Sequence, residues 1–336
     1  MAASAVNTLM GDSLFKTVFS GMVLREYEAR RVFAPLVTTK PITRGKTLDF
    51  SLMGTVDPVY HTAGHNIIES SSPVYLKNAA QAKVNVNLND RLVASTLVDE
   101  LAELKNDFSA RSELALEMGR ALADRQDRLL AQAIIMAALG RRNSAGSDAD
   151  LYTGEPDKGG IMTVDDSGTD TATRTSLLDA IFKAARQLDL GNVPEDERYL
   201  TIHPKYFHFL AASTDAMNKD WGGTGAYADY KVPRIAGFQV LKSINIPNVD
   251  TDDEPDAGEN NELEFTPTNM EDGSGNNGQL WGMCFHKSAA ACAMAQDVRT
   301  EVEWKPEYQA TFMLASQVMG CAALRRQSSV LLCAND

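Results

Sequence analysis

The sequence predicts an α+β fold, and three observations carry the prediction. Phe108–Leu139 keeps a helical apolar period, with no proline, far beyond the length of an ordinary helix. The centre of the chain alternates helix and strand patterns, while both ends are rich in strand alternation. The 336 residues, 44% of them hydrophobic, supply a sizeable core for one large domain or two to three smaller ones.

In chain order, residues 1–12 read as a flexible start. Ser13–Arg31 follows as an amphipathic helix, because Leu14, Phe15, Val18, Phe19, Met22 and Val23 recur at three- and four-residue steps. Pro35 and Pro41 bracket an extended segment, and Arg44-Gly45-Lys46 is a turn. Leu48, Phe50 and Leu52 alternate with polar residues, as do Val84, Val86 and Leu88 with three asparagines. Residues 45–89 are therefore expected to form a long hairpin, one that contributes little to its own core and gains most by lying on another molecule. Leu92–Leu104 reads as a connecting segment.

The long helix comes next, at ~1.5 Å rise per residue roughly 48 Å of it. Its apolar side gathers Phe108, Ala115, Leu116, Met118, Leu122, Leu129, Leu130, Ala133, Ile134 and Met136. Its charged side gathers Glu113, Glu117, Arg120, Asp124, Asp127 and Arg128. Arg120–Asp124 and Asp124–Arg128 stand at i,i+4, each such pair worth ~0.2–0.5 kcal/mol. Asp107 is the expected N-cap and Gly140 the stop. Gly140–Thr173 reads as loop. A helix at Thr175–Leu190, opened by a Ser176/Asp179 capping box, precedes a strand at Tyr199–Ile202, a helix at Lys205–Ala212 and strands at Phe238–Leu241 and Leu280–Phe285. Ala289–Ala295 is small and apolar, Arg299–Trp304 alternates, and Thr311–Ser316 and Cys321–Leu332 complete the strand-rich end.

The net charge of −13 is concentrated in one place. Between Ser243 and His286 there is no Lys or Arg, and ten acidic residues fall between Asp250 and Asp272. Such a surface repels phosphates and argues against sequence-specific DNA binding there. No run of 18 apolar residues marks a membrane span, and the N-terminus lacks a signal-peptide layout. Cys284, Cys292, Cys321 and Cys333 form no CxxC pair and are expected as free thiols in a reducing compartment.

Catalytic chemistry is sparse. His61 and His65 stand at i,i+4, which ligates a metal only on a helix, and Pro58 and Gly64 oppose one. Gly273–Gly278 lacks the Gly-Lys-Ser/Thr of a phosphate loop. A calcium loop begun at Asn248 meets Asp253 where the turn needs glycine. No Gly-x-Ser-x-Gly elbow is present. No catalytic, cofactor-binding or metal-ligating residue is assigned, and no cofactor is expected.

The chain resembles the major capsid proteins of short-tailed, autographivirus-type phages. The likeness runs through Leu14-Phe15-Lys16, Val18-Phe19, Gly21, Val23-Leu24, Gly45-Lys46, Phe50, Gly54, Tyr60, Gly64 and Asn66. It continues in Lys83-Val84, Arg111-Ser112-Glu113, Gly119, Val193-Pro194, Arg198, Pro204, Gly237-Phe238, His286, Ser288-Ala289 and Met319-Gly320. It is weakest in the acidic segment 250–278 and after Gly320.

The resemblance implies a Hong Kong 97 (HK97-like) capsid fold. Residues 1–44 would be an N-arm and 45–89 an extended loop. Residues 90–160 and 296–336 would be a peripheral domain containing the spine helix 108–139, and 161–295 an axial domain. It implies an enzymatically inert shell protein that assembles as pentamers and hexamers around double-stranded DNA, in the host cytoplasm, with a scaffolding protein and a portal as partners and no membrane. Phe15, Phe19, Arg44, Lys46, Leu48, Phe50, Glu113, Glu117, Arg120, Asp124 and Arg128 are the candidate subunit-interface residues. In this reading Arg44 and Lys46 of one copy face the acidic side of a neighbour's spine helix. Two alternatives stand beside it: an encapsulin-like nanocompartment shell of the same fold, and a soluble enzyme with an unrecognised site.

Overall fold

The helices and strands expected in the middle of the chain form, with departures at Leu92–Asp99, at Gly160–Asp165 and at the starts of two helices. The computed structural model of the protein describes residues 2–53, 59–61, 63, 81–88, 90–99, 110–139, 160–165, 170–213, 232, 234–247 and 280–335. The acidic segment 250–278, His65, Asp107, Phe108 and Gly140 lie outside them.

The first helix, α1, spans Ala2–Arg30 and begins well before the expected Ser13. After the extended strand β1 (Thr38–Pro41), β2 (Thr47–Met53) and β3 (Gln81–Asn87) pair antiparallel, setting Leu48 opposite Val86 and Phe50 opposite Val84. Leu92–Asp99, read from sequence as a connector, is strand β4. Its pattern hid because Leu92, Ala94 and Val98 turn inward while Val93 and Leu97 are apolar too, and each is 47% exposed.

The long helix α2 spans Ala110–Leu139. It is amphipathic only as far as Arg128. From Leu129 to Ala138 every residue is buried, because this half runs between two sheets. Asp127 is also buried, which corrects its placement on the charged side.

Strand β5 (Gly160–Asp165) lies in the stretch expected to be loop; its partner β12 (Ser329–Asn335) is far away in sequence. Helix α3 (Asp170–Leu190) begins before the proposed capping box, so Ser176 and Asp179 are interior positions. Then come β6 (Arg198–Ile202), α4 (Pro204–Ala211), β7 (Arg234–Ile235), β8 (Phe238–Lys242) and β9 (Leu280–His286). Strand β10 (Ala290–Lys305) joins two stretches that sequence separated, and β11 (Ala310–Ala323) returns beside it.

Besides the two-stranded β2-β3 sheet, two larger sheets form among the described residues, with strand orders β1-β10-β11-β4 and β5-β12-β9-β6-β8-β7. Strand β12 pairs with β5 and β9 in the six-stranded sheet, so the last strand joins the unit expected over 161–295. One face of this sheet packs α3 and α4 through Leu177, Ile181, Phe207 and Leu210. The other packs the buried half of α2 through Met283, Phe285 and Leu331. The four-stranded sheet carries α1 and the first half of α2 on one face, against Met313 and Ala315. Its opposite face holds the base of the β2–β3 hairpin, where Phe50, Leu52, Val84 and Val86 pack on Ala291, Ala293 and Ala322. Full burial of each such large apolar side chain contributes ~1.5–3 kcal/mol.

Candidate subunit interface

The spine helix meets α1 at a glycine. A Cβ on Gly119 would lie 2.6 Å from the carbonyl oxygen of Val23, so the bare hydrogen there lets the two helices approach backbone to backbone. Around that contact Phe19, Val23 and Tyr27 pack on Ala115, Met118 and Leu122. Arg120 Nε donates to Glu26 Oε1 at 2.7 Å, and its Nη1 reaches Glu117 at 3.4 Å. The Arg120 guanidinium holds the Glu26 carboxyl below the usual range. These contacts replace the expected Arg120–Asp124 pairing. Asp124 instead accepts a hydrogen bond from Asn245 Nδ2 at 3.0 Å, which ties α2 to the segment after β8.

Two buried polar groups fix where the chain leaves α1. Asp127 accepts from the backbone N–H of Val32 at 2.7 Å and of Phe33 at 3.1 Å. Burial pushes its carboxyl up to about 6, against the opposing pull of those two donors. Tyr27 donates its hydroxyl proton to Gln126 Oε1 and accepts from Gln317 Nε2 at 3.1 Å. One hydroxyl thus joins α1, α2 and β11. Burial pushes the phenol up to about 12 and holds it protonated, against the opposing pull of the Gln317 donor and of the Arg31 guanidinium, 5.5 Å from the ring centre.

The hairpin base is seated with equal closeness. A Cβ on Gly320 would fall 1.9 Å from the carbonyl oxygen of Asn87. Lys40 Nζ stands 4.5 Å from the centre of the Phe50 ring, an arrangement that favours the cation over the ring face.

These placements sort the candidate interface residues. Phe19 and Phe50 are 2% and 4% exposed within their own chain, which corrects their assignment as surfaces offered to a neighbour. Leu48 is half-buried in the same hairpin cluster. Arg120 and Asp124 spend their hydrogen bonds on Glu26 and Asn245. The side chain of Phe15 lies outside the described residues. Arg44, Lys46, Glu113, Glu117 and Arg128 are exposed.

Sequence reading missed an apolar sheet face. Register sets Leu97 beside Phe312 and Val93 beside Ser316, with Leu314 between them, on the side of the four-stranded sheet away from α1 and α2. Phe312 and Leu314 are half-buried, and among the described residues the edge strand β4 has no strand on its other side. The signal was present as apolar residues on both faces of Leu92–Asp99. An exposed apolar sheet face with an unpaired edge is a surface suited to another protein. No catalytic constellation accompanies it: among the described residues, no three His, Cys, Asp or Glu side chains converge as a metal site.

Residues 49–333 match a family described as Gp10A-like, major capsid protein. Over 330 residues the chain is 21% identical to the major capsid protein of Escherichia phage T7, covering 94% of this chain and 90% of that protein. The capsid structure of cyanophage P-SCSP1u superposes with a TM-score of 0.71 at 28% identity, covering 91% of this chain and 88% of that chain. The mature capsid of bacteriophage PhiM1 shares the fold with a TM-score of 0.66 at 16% identity, covering 90% and 87% of the two chains. The two packed sheets bridged by a spine helix are therefore the HK97-like capsid fold in an α+β chain. With the match running from the hairpin's first strand to the last strand of the six-stranded sheet, the chain belongs to the Gp10A-like family of major capsid proteins.

Proposed function

We propose that this chain builds an icosahedral virion shell by self-assembly into pentamers and hexamers around double-stranded DNA. The family match over residues 49–333 carries this reading. The role is structural and no catalytic step is assigned to it. Assembly takes place in the host cytoplasm on a scaffolding protein, and a portal occupies one five-fold position.

The geometry supports a division of labour within the subunit. The apolar residues of the hairpin base and of α1 hold those elements on their own chain, so each is presented to neighbours in a fixed direction. Intersubunit contact then falls to groups left exposed: Arg44 and Lys46 at the hairpin base, Glu113 and Glu117 on α2, and the Val93/Leu97 sheet face. Cations of one copy meet carboxylates of the next. Single exposed pairs contribute ~0–1 kcal/mol, so the pairing sets register more than affinity. A chain of net charge −13 also keeps packaged DNA from adhering to the wall.

Negative-stain microscopy of the chain co-expressed with its scaffolding protein tests the assembly. Closed shells that package DNA are expected. A chain that stays monomeric on size exclusion with scaffold present overturns the reading, and shells filled with protein instead of DNA transfer it to a nanocompartment. For the charge pairing, Lys46→Glu is expected to lower assembly yield; an unchanged yield and melting temperature would remove the pairing.

A further inference from the structure

Two adjacent strands place four sulfur atoms on one sheet face. The register of β10 and β11 sets Cys292 opposite Cys321 and Met294 opposite Met319. Residues two apart along a strand share a face, so all four side chains project together towards α2. The intervening Ala293 and Gly320 turn the other way, to the hairpin base. The two thiols face one another directly across the strand pair. The two thioethers share a donor, for Gln317 Nε2 stands 3.5 Å from Met319 Sδ and 3.9 Å from Met294 Sδ.

That nitrogen also donates to the Tyr27 hydroxyl at 3.1 Å. Its two hydrogens thus serve three acceptors, and thioether lone pairs are left over for another ligand. Strand β10 slips register immediately after Met294, at two successive irregularities. Bulges of this kind re-aim side chains and recur beside functional sites. Met294 is the half-buried member, so the cluster reaches the surface there, while Cys292, Cys321 and Met319 are closed in.

We propose that Cys292, Cys321, Met294 and Met319 form a binding site for a soft monovalent metal cation of the copper(I) class. Ligand chemistry sets the class. Thiolate and thioether sulfur select soft ions, whereas hard divalent ions need carboxylate, carbonyl or water oxygens. Directly opposed residues on antiparallel strands keep their Cβ atoms ~4.5–5.5 Å apart, and the neighbouring pair is ~7 Å along the strands. Four flexible sulfur-bearing side chains close round one ion from those positions by rotamer change alone. Each thiol that ligates gives its proton to solvent; the metal stays monovalent and no electron is transferred.

The test titrates the full-length chain anaerobically with copper(I), supplied as its acetonitrile complex, and challenges it with bicinchoninate as competing chelator. One copper(I) per chain is expected to survive the challenge and to raise the melting temperature. Met294→Leu/Met319→Leu conserves volume and is expected to weaken retention at least ten-fold. Cys284→Ser/Cys333→Ser, which removes the two other thiols, is expected to retain copper(I) as the unaltered chain does. Loss of all bound copper(I) from the unaltered chain under the chelator overturns the site. So does retention that falls with Cys284→Ser/Cys333→Ser and is indifferent to Met294→Leu/Met319→Leu.

Discussion

Replacing Gly320 by alanine should unseat the extended hairpin from its own subunit. The added Cβ would stand 1.9 Å from the Asn87 carbonyl oxygen, 2.9 Å from its carbon and 3.2 Å from Leu88 Cα. These are backbone atoms, which no rotamer change can withdraw. Restoring an ordinary C···O separation of roughly 3.3 Å requires a displacement of about 1.4 Å. Phe50, Leu52, Val84 and Val86 would lift from Ala291, Ala293 and Ala322 by that amount. If about half of the ~1.5–3 kcal/mol per buried side chain is lost, the cost is ~3–6 kcal/mol, within the range that marks a specific steric failure. Urea unfolding followed by tryptophan fluorescence measures it, and limited proteolysis should cut first within residues 45–89. Gly21→Ala is the control: nothing stands within 4 Å of that Cβ, and removing a mid-helix glycine should stabilise α1 by roughly 0.5–1 kcal/mol. A Gly320→Ala chain that unfolds within about 0.5 kcal/mol of the original, with unchanged proteolysis, would refute the close-packing argument.

Two further outcomes follow from the buried polar groups. Asp127 has its carboxyl raised from 3.8 to about 6, so the folded state binds this proton more tightly than the unfolded one. Stability contributed by this site therefore rises as pH falls from 7 through 6 towards 4, by up to ~3 kcal/mol. Asp127→Asn should remove that component, read as the difference between the two chains' urea midpoints at pH 7 and pH 4; equal pH dependence would refute it. Tyr27→Phe leaves Gln126 Oε1 and Gln317 Nε2 without the hydroxyl that joined them, and should cost ~1–3 kcal/mol by the same assay. A loss below about 0.5 kcal/mol would show that the two amides satisfy each other once the hydroxyl is gone.

Local patterning made the long helix and the hairpin base legible, because their apolar residues repeat with one clear period. Leu48, Phe50, Val84 and Val86 were read as alternating strands and pair as such. The period does not say what covers an apolar face. Phe19 and Phe50 look alike whether their cover is the same chain or a neighbour; only the folded chain shows α2 over the first and the four-stranded sheet under the second. Asp127 was misread for a related reason. Its acidic side chain fits a solvated helix face, and the donors that make its burial tolerable, Val32 and Phe33, belong to a segment far away in sequence. Strands β5 and β12 were missed or misplaced because their pairing is non-local, and β4 because apolar residues on both faces erase the alternation.

The half of α2 embedded between the two sheets has a mechanical consequence. Thirty residues of helix form a rod of roughly 45 Å. From Leu129 onward it is buried all round, while among the described residues its first half packs on α1 at one flank and on the four-stranded sheet at another, with Asn245 bonded to Asp124 near the root. The rod therefore behaves as a cantilever rooted near Asp127. Load applied at its N-terminal end acts on the portion held to α1 by the close approach at Gly119 and the Arg120–Glu26 pair, so the two helices would deflect together. Displacing that end would part α1 and α2 from Met313 and Ala315 of the four-stranded sheet before it disturbed the buried root at residues 129–138.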